Sequence, residues 1–261
     1  GSLGTAYTDL GEVKRAVSYY EQDLAVAREI GDRRGEGGAL GSLGTAYYSL
    51  GEAWRAIGYH EQHLIIAREI GDRRGEGNAL GNLGIGYFRL GEVRQAIGYY
   101  EQVLAIMREM GNRQGEGSTL GNLGIAYATL GETRRGIGYY EQALPILHEI
   151  GDRLGEGSTL GNLGLAYATL GEVRRAIGYY EQHLTMAREI GHQQGEATGS
   201  WNLGLLLEQQ GDLARAIALM QVCVDFEREI GHPDADGRAS QLAQVQARLA
   251  GGARKDYWHT K

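Results

Sequence analysis

The sequence predicts an all-α solenoid of about six antiparallel helix pairs, closed by a C-terminal capping helix. Three observations predict it. A forty-residue text recurs from Gly1, Gly41, Gly81, Gly121 and Gly161, and again in worn form from Ser200. Self-similarity at a fixed step is the signature of an array whose units pack on their neighbours. Within each copy the apolar residues follow a helical period: Leu160, Leu163, Gly164 and Tyr167 fall at i, i+3, i+4 and i+7, and no stretch alternates with the period of a strand. Glycine then punctuates the text, at Leu170-Gly171 and Ile190-Gly191. It supplies the left-handed residue that ends a helix, and connections this short make successive helices antiparallel neighbours.

In chain order, Gly1 to Leu10 is the end of a first helix, so the chain opens inside a repeat and is expected to be a fragment of a longer protein. Second helices start near Glu12, Glu52, Glu92, Glu132, Glu172 and Asp212, and Asp32, Asp72, Asn112 and Asp152 are placed to cap the first helix that follows each. His192 and His232 hold the later equivalents, with Pro233 at N1 of the last helix. Pro145 removes the bond to the Glu141 carbonyl, and a kink over 141–145 is expected there. The domain division expected is an array over 1–234, a wetter capping helix over 235–250, and a tail over 251–261 begun by a break at Gly251-Gly252. Tyr257 and Trp258 in that tail are expected to dock on the protein's own groove or on a neighbouring molecule.

Composition narrows the function. The net charge of −7 comes without a basic run, so the electrostatic footprint of nucleic-acid binding is missing. No apolar run nears the roughly 18 residues that span a bilayer. A single Cys223 excludes an internal disulfide and fits a reducing compartment, and the expected location is the cytoplasm. His60 and His63 are one residue short of the H-E-x-x-H spacing and lack a third ligand, while Gly75 to Gly81 misses G-x-G-x-x-G. No catalytic residue, metal or cofactor is expected. Glycine is abundant, at 43 residues. In the fifth copy Gly157, Gly161 and Gly164 share one helix face, where each costs about 0.5–1 kcal/mol against alanine. Close helix–helix approach is the expected compensation, and a single isolated repeat is not expected to fold.

Leu163-Gly164, Tyr167, Gly171, Ala176 and Tyr180 stand in the order and spacing of the tetratricopeptide repeat (TPR), which the chain resembles over nearly its whole length. The forty-residue step and the Gly-Asp-Arg joint, in place of the family's usual proline, are similar to the long-helix repeats of Pins-type scaffolds and to the arrays of bacterial signalling ATPases and regulators. The resemblance implies a right-handed TPR superhelix with the first helix of each pair on the concave side, receiving a peptide or helix of a partner protein. Carried over position by position, it gives two rows. One is polar: Asn82, Asn122, Asn162 and Asn202, with Ser2 and Ser42 before them. The other is Thr5, Thr45, Ile85, Ile125, Leu165 and Leu205. Asparagine amides both donate and accept, so such a row can hold a peptide backbone. Tyr48, Phe88 and Trp201 would add aromatic anchors, although burial of Trp201 against the capping helix is an equal expectation. Chaperone-binding members hold a terminal carboxylate with cations on this face. Arg89 is the one clear cation among the positions so placed, which argues against that clamp. Two alternatives remain: self-assembly through exposed repeat ends or the tail, and a non-catalytic sensor region of a larger ATPase or other enzyme.

Overall fold

The structure, a computed structural model, describes residues 2–259, with side chains from Leu3 to Gly251. Among the described residues there are thirteen α-helices and no strand. They divide between Glu132 and Thr133 into two compact units. The first holds α1 (Ser2–Asp9), α2 (Val13–Glu29), α3 (Arg33–Ser49), α4 (Ala53–Glu69), α5 (Arg73–Arg89), α6 (Val93–Glu109) and α7 (Arg113–Thr129). The second holds α8 (Thr133–Glu149), α9 (Arg153–Thr169), α10 (Val173–Glu189), α11 (Gln193–Gln209), α12 (Leu213–Glu229) and α13 (Ala235–His259). In each unit consecutive helices pack side by side, and the first helices of adjacent repeats also touch, α3 on α5 and α9 on α11.

Up to α12 the connections are three residues long, because a glycine and the residue after it close one helix and open the next. Gly31 sits at φ 71°. Its N–H bonds the Arg28 carbonyl and the Asp32 N–H bonds the Ala27 carbonyl, the paired closure of a Schellman end. The Asp32 carboxylate then accepts from Gly35 N–H at 2.9 Å, capping α3. Asp72, Asn112 and Asp152 repeat this cap at their own helices. His192 makes no side-chain cap bond, and α13 starts at Ala235, two residues beyond Pro233.

α8 carries Pro145 inside a helix of the same 17 residues as its sister helices, with the proline exposed. One further difference from the sequence reading concerns helix continuity. α13 does not stop at Gly251-Gly252 but continues to His259, since glycine weakens a helix without forbidding it. The expected docking of Tyr257 and Trp258 lies outside the described side chains.

The core of each unit is the seam between the two helices of a pair. There the glycine of the Leu-Gly step meets the eighth residue of the second helix, a ring at Gly4, Gly44, Gly84 and Gly164 and Met220 at Gly204. A Cβ on Gly84 would stand 2.5 Å from the Tyr100 ring, and one on Gly164 would stand 2.8 Å from Tyr180. Lost helix propensity is thus exchanged for the burial of a large aromatic, Tyr100 and Tyr180 being almost wholly enclosed.

Candidate functional site

The first unit carries an open groove of about 1160 Å³. Its floor comes from the N-terminal halves of α3, α5 and α7, through Gly38, Ser42, Asn78, Gly81, Asn82 and Ser118. A Cβ at Gly38 or Gly81 would meet nothing within 4 Å, so these two glycines open the floor and pack against nothing. Ile70 and Met110, from the ends of α4 and α6, form an exposed apolar ledge, 39% and 43% accessible. His63 and Asp72 also line the groove, the latter engaged in capping Gly75. Arg34 and Arg74 stand in the first turns of α3 and α5 and belong to the same lining.

The residues expected to contact a partner separate into three groups. Asn82 and Ile85 line the groove. Asn122 is half-buried and Ile125 38% exposed, both on α7 but outside the lining, as are Phe88, half-buried, and Arg89, exposed, at the end of α5. In the second unit Asn162 is half-buried and Leu165 is 55% exposed. The hydroxyls in the earlier copies of the two rows are bonded on their own helix, Ser42 to the Gly38 carbonyl at 3.0 Å and Thr45 to the Gly41 carbonyl at 3.1 Å.

Four of the expected contact residues are wholly or partly enclosed. Trp201 is 7% exposed in a core with Met220, Val224, Leu242 and Val245, with the Arg238 guanidinium 5.1 Å over its ring; it holds the capping helix and is no docking surface. Leu205 packs against the same core, and Asn202 is half-buried near Tyr180, whose pKa burial pushes up to about 12. Tyr48 stacks on His60, ring centroids 5.4 Å apart, and its hydroxyl donates to the Asn82 carbonyl at 3.0 Å. Burial pushes its pKa to about 12 as well. Its function is to tie α3 to α5.

Two networks escaped the sequence reading. Behind the groove, Arg28 and Arg33 both hold Glu36, at 2.8 and 2.5 Å, and Arg33 also reaches Glu69 of the next second helix. Arg68, Arg73, Glu76 and Glu109 repeat the pattern, and Arg108, Arg113 and Glu116 its first half. The Arg28 hydrogen bond leads in holding the buried Glu36 carboxyl below its ordinary pKa. At Glu76 burial pushes up, but Arg68 and Arg73 together outweigh it. At the other end of the helices, Tyr47 stacks on Tyr59 and Tyr87 on Tyr99, with Arg55 4.1 Å over Tyr47. In the second unit Tyr167 stacks on Tyr179 under Arg175, and its hydroxyl meets Glu141 at 3.0 Å. The signal for both was present as recurring spacing once the copies are stacked: Arg-x7-Glu, with His148 in place of one arginine, and Tyr-x11-Tyr, replaced by Leu207 and Leu219 in the last copy.

These networks are occupied by structural partners, whereas in the groove the side chains of Arg34, Arg74 and Asn78 make no hydrogen bond or ion pair among the described residues. Among the described residues no group of three or more His, Cys, Asp or Glu is placed to hold a metal ion, and no helix is long and apolar enough to cross a membrane.

Comparison with known proteins agrees with the repeat. Tetratricopeptide-repeat family profiles match residues 1–34, 55–109, 75–149, 115–189 and 158–229. No curated protein matches the sequence. Among solved structures the chain is similar to BtubC (BKLC) from P. vanneervenii, at 20% identity and TM-score 0.69 over 92% of both chains. It is similar to a Rap protein complexed with competence and sporulation factor, at 16% identity and TM-score 0.62 over 95% of this chain and 74% of that one. It also matches a signal transduction ATPase with numerous domains from Pyrococcus horikoshii, which has a tetratricopeptide repeat sensor, at 18% identity and TM-score 0.69 over 98% of this chain and 42% of that one.

Proposed function

The chain belongs to the tetratricopeptide-repeat family, and from that premise we propose that it is a non-catalytic protein-interaction module whose first unit receives an extended peptide segment of a partner protein. One observation carries this: a glycine-opened groove in which Asn78, Asn82 and Ile85 stand beside the exposed Ile70 and Met110. Amide side chains satisfy a backbone in either direction, and the open glycines let that backbone approach closely. The Ile70 and Met110 ledge offers the apolar area that makes such contacts stick. The similarity to a Rap protein solved with competence and sporulation factor supports a ligand-holding use of this fold. The similarity to a sensor region of a larger ATPase supports a place within a larger signalling protein.

The groove has a clean test. Gly38→Leu with Gly81→Leu places two side chains in the groove where a Cβ touches nothing, so folding is retained and the floor is filled. Peptide-array binding to the purified chain should be lost in this variant and weakened in Asn82→Ala and Ile85→Glu, with an unchanged thermal melt. Equal peptide capture by the filled and open forms would remove the groove from consideration.

A further inference from the structure

Each of the first two joints of the array carries two adjacent arginines, and the structure uses only one of each pair. Arg33 is committed to Glu36 and Glu69, and Arg73 to Glu76 and Glu109. Arg34 and Arg74 follow one residue later, roughly 100° around the helix. They are exposed, line the groove, and have no carboxylate partner among the described residues. The equivalent positions in later repeats are Gln114, Leu154 and Gln194, so this use of arginine is confined to the groove-bearing joints. The only carboxylate in the lining, Asp72, is committed to capping α5. In a chain of net charge −7, the groove lining thus holds two arginines against one carboxylate.

We propose that this groove selects an acidic extended peptide, with two side-chain carboxylates meeting Arg34 and Arg74, its backbone over Gly38 and Gly81, and apolar side chains on Ile70 and Met110. This deepens the peptide-binding function above and rests on it. Guanidinium groups pair with carboxylates in a planar, two-bond fork, and these two enter the complex without first giving up an internal partner. Two cations spaced by a repeat are too few for a nucleic-acid backbone, whose binding rests on about 6–10 phosphate contacts. They suffice to choose among peptides, where charge complementarity sets specificity more than affinity.

The test uses the whole chain and fluorescein-labelled, end-capped decapeptides on a Gly-Ser-Leu background, carrying four Glu, four Gln or four Lys. Anisotropy is read at 50 and 300 mM NaCl, beside a labelled oligothymidylate. The Glu peptide should bind about tenfold more tightly than the Gln peptide at low salt. Arg34→Gln/Arg74→Gln should bring it to the Gln level, with no change in thermal melt because Arg33 and Arg73 keep their partners. Gly38→Leu/Gly81→Leu should abolish both. Equal binding of Glu and Gln peptides, with loss on filling the groove, overturns the acidic preference and leaves the groove function standing. Absence of binding by every peptide overturns both. Tighter binding of the oligonucleotide, or arginine-dependent self-association in sedimentation velocity, overturns the peptide in favour of a polyanion or a second copy of the chain.

Discussion

α4 and α10 hold the same place in their repeats, yet two aligned positions on them are solved in different ways. On α10 the first is Tyr180, which lies near Asn202. The second is His183, with Nδ1 2.7 Å from the Gly157 carbonyl and Nε2 3.0 Å from that of Gly195. Both His183 nitrogens thus stand within hydrogen-bond distance of a backbone carbonyl. On α4 the positions are His60 and His63. His60 is fully enclosed and neither ring nitrogen has a partner; His63 Nδ1 has none either. The shorter imidazole cannot reach the next repeat, and Tyr48 stacks on it and makes that contact through the Asn82 carbonyl. Room for Tyr48 comes from Gly86, where a Cβ would collide with its hydroxyl; the other copies carry Ala46, Ala126 and Ala166 there. Tyr48, His60 and Gly86 are one physical exchange written at three separate positions. It keeps the seam filled but leaves buried nitrogens unsatisfied, a penalty of about 1–3 kcal/mol for each such group.

Acid should break this comparison most strongly. Burial first, and the neighbouring His63 second, push the His60 pKa from 6.5 down to about 4. Burial lowers His63 as well, against the opposing pull of Asp72. Between pH 6.5 and 4 the unfolded chain takes up a proton at His60 that the folded chain refuses. The stability from its neutral state is complete above pH 6.5 and falls as the pH drops toward 4. The loss is on the order of 3 kcal/mol if the whole shift is expressed. The variant Tyr48→Ala/His60→Tyr/Gly86→Ala takes the text of the copy with Ala128, Tyr140 and Ala166 and should reduce the slope in this window to what His63 contributes, with the acid loss that begins near pH 4.5 as Glu36, Glu76 and Glu116 protonate unchanged. Urea midpoints measured from pH 7 to 4 decide it: parallel slopes for the two proteins would show that His60 is not the source.

Gly86 gives the next largest effect. Gly86→Ala alone drives a methyl into the Tyr48 hydroxyl and should destabilise by about 1–3 kcal/mol. In the Tyr48→Ala background the same change should be neutral or mildly stabilising, because a helix-interior glycine is removed. A double-mutant cycle by chemical denaturation reads the coupling directly. Additive effects would mean that Tyr48 moves aside freely, and that the exchange is not a unit.

How much was legible beforehand follows from what each feature depends on. The joints were legible to the residue: Gly31 and Asp32 announce a helix end and a cap by their own chemistry, and the copies repeat the announcement. The groove was half legible. Asn82 and Ile85 were placed by register, but Arg34 was not separated from Arg33, because which one is free depends on where Glu36 and Glu69 reach in space. Trp201 was read both ways, since its place in the repeat is a glycine in the other copies and only the packing of α12 and α13 decides its exposure. The His60 exchange was hidden for a different reason. Its three parts lie 12 and 26 residues apart, and each looks like ordinary wear in its own copy.

The smallest predicted effect separates the two uses of glycine. Gly84 meets the Tyr100 ring, whereas a Cβ on Gly98, in the outward part of α6, meets nothing within 4 Å. The Gly98 carbonyl accepts from the Gln102 amide at 3.0 Å, a contact that an alanine leaves in place. Gly98→Ala should therefore stabilise by about 0.5–1 kcal/mol, and Gly58→Ala and Gly178→Ala should add to it, their sites being equally open. Gly84→Ala should do the reverse. Thermal melts of the four variants give the signs. If Gly98→Ala also destabilised, the outer glycines would hold a conformation or contact that open space does not account for, and the division between packing glycines and free ones would fall.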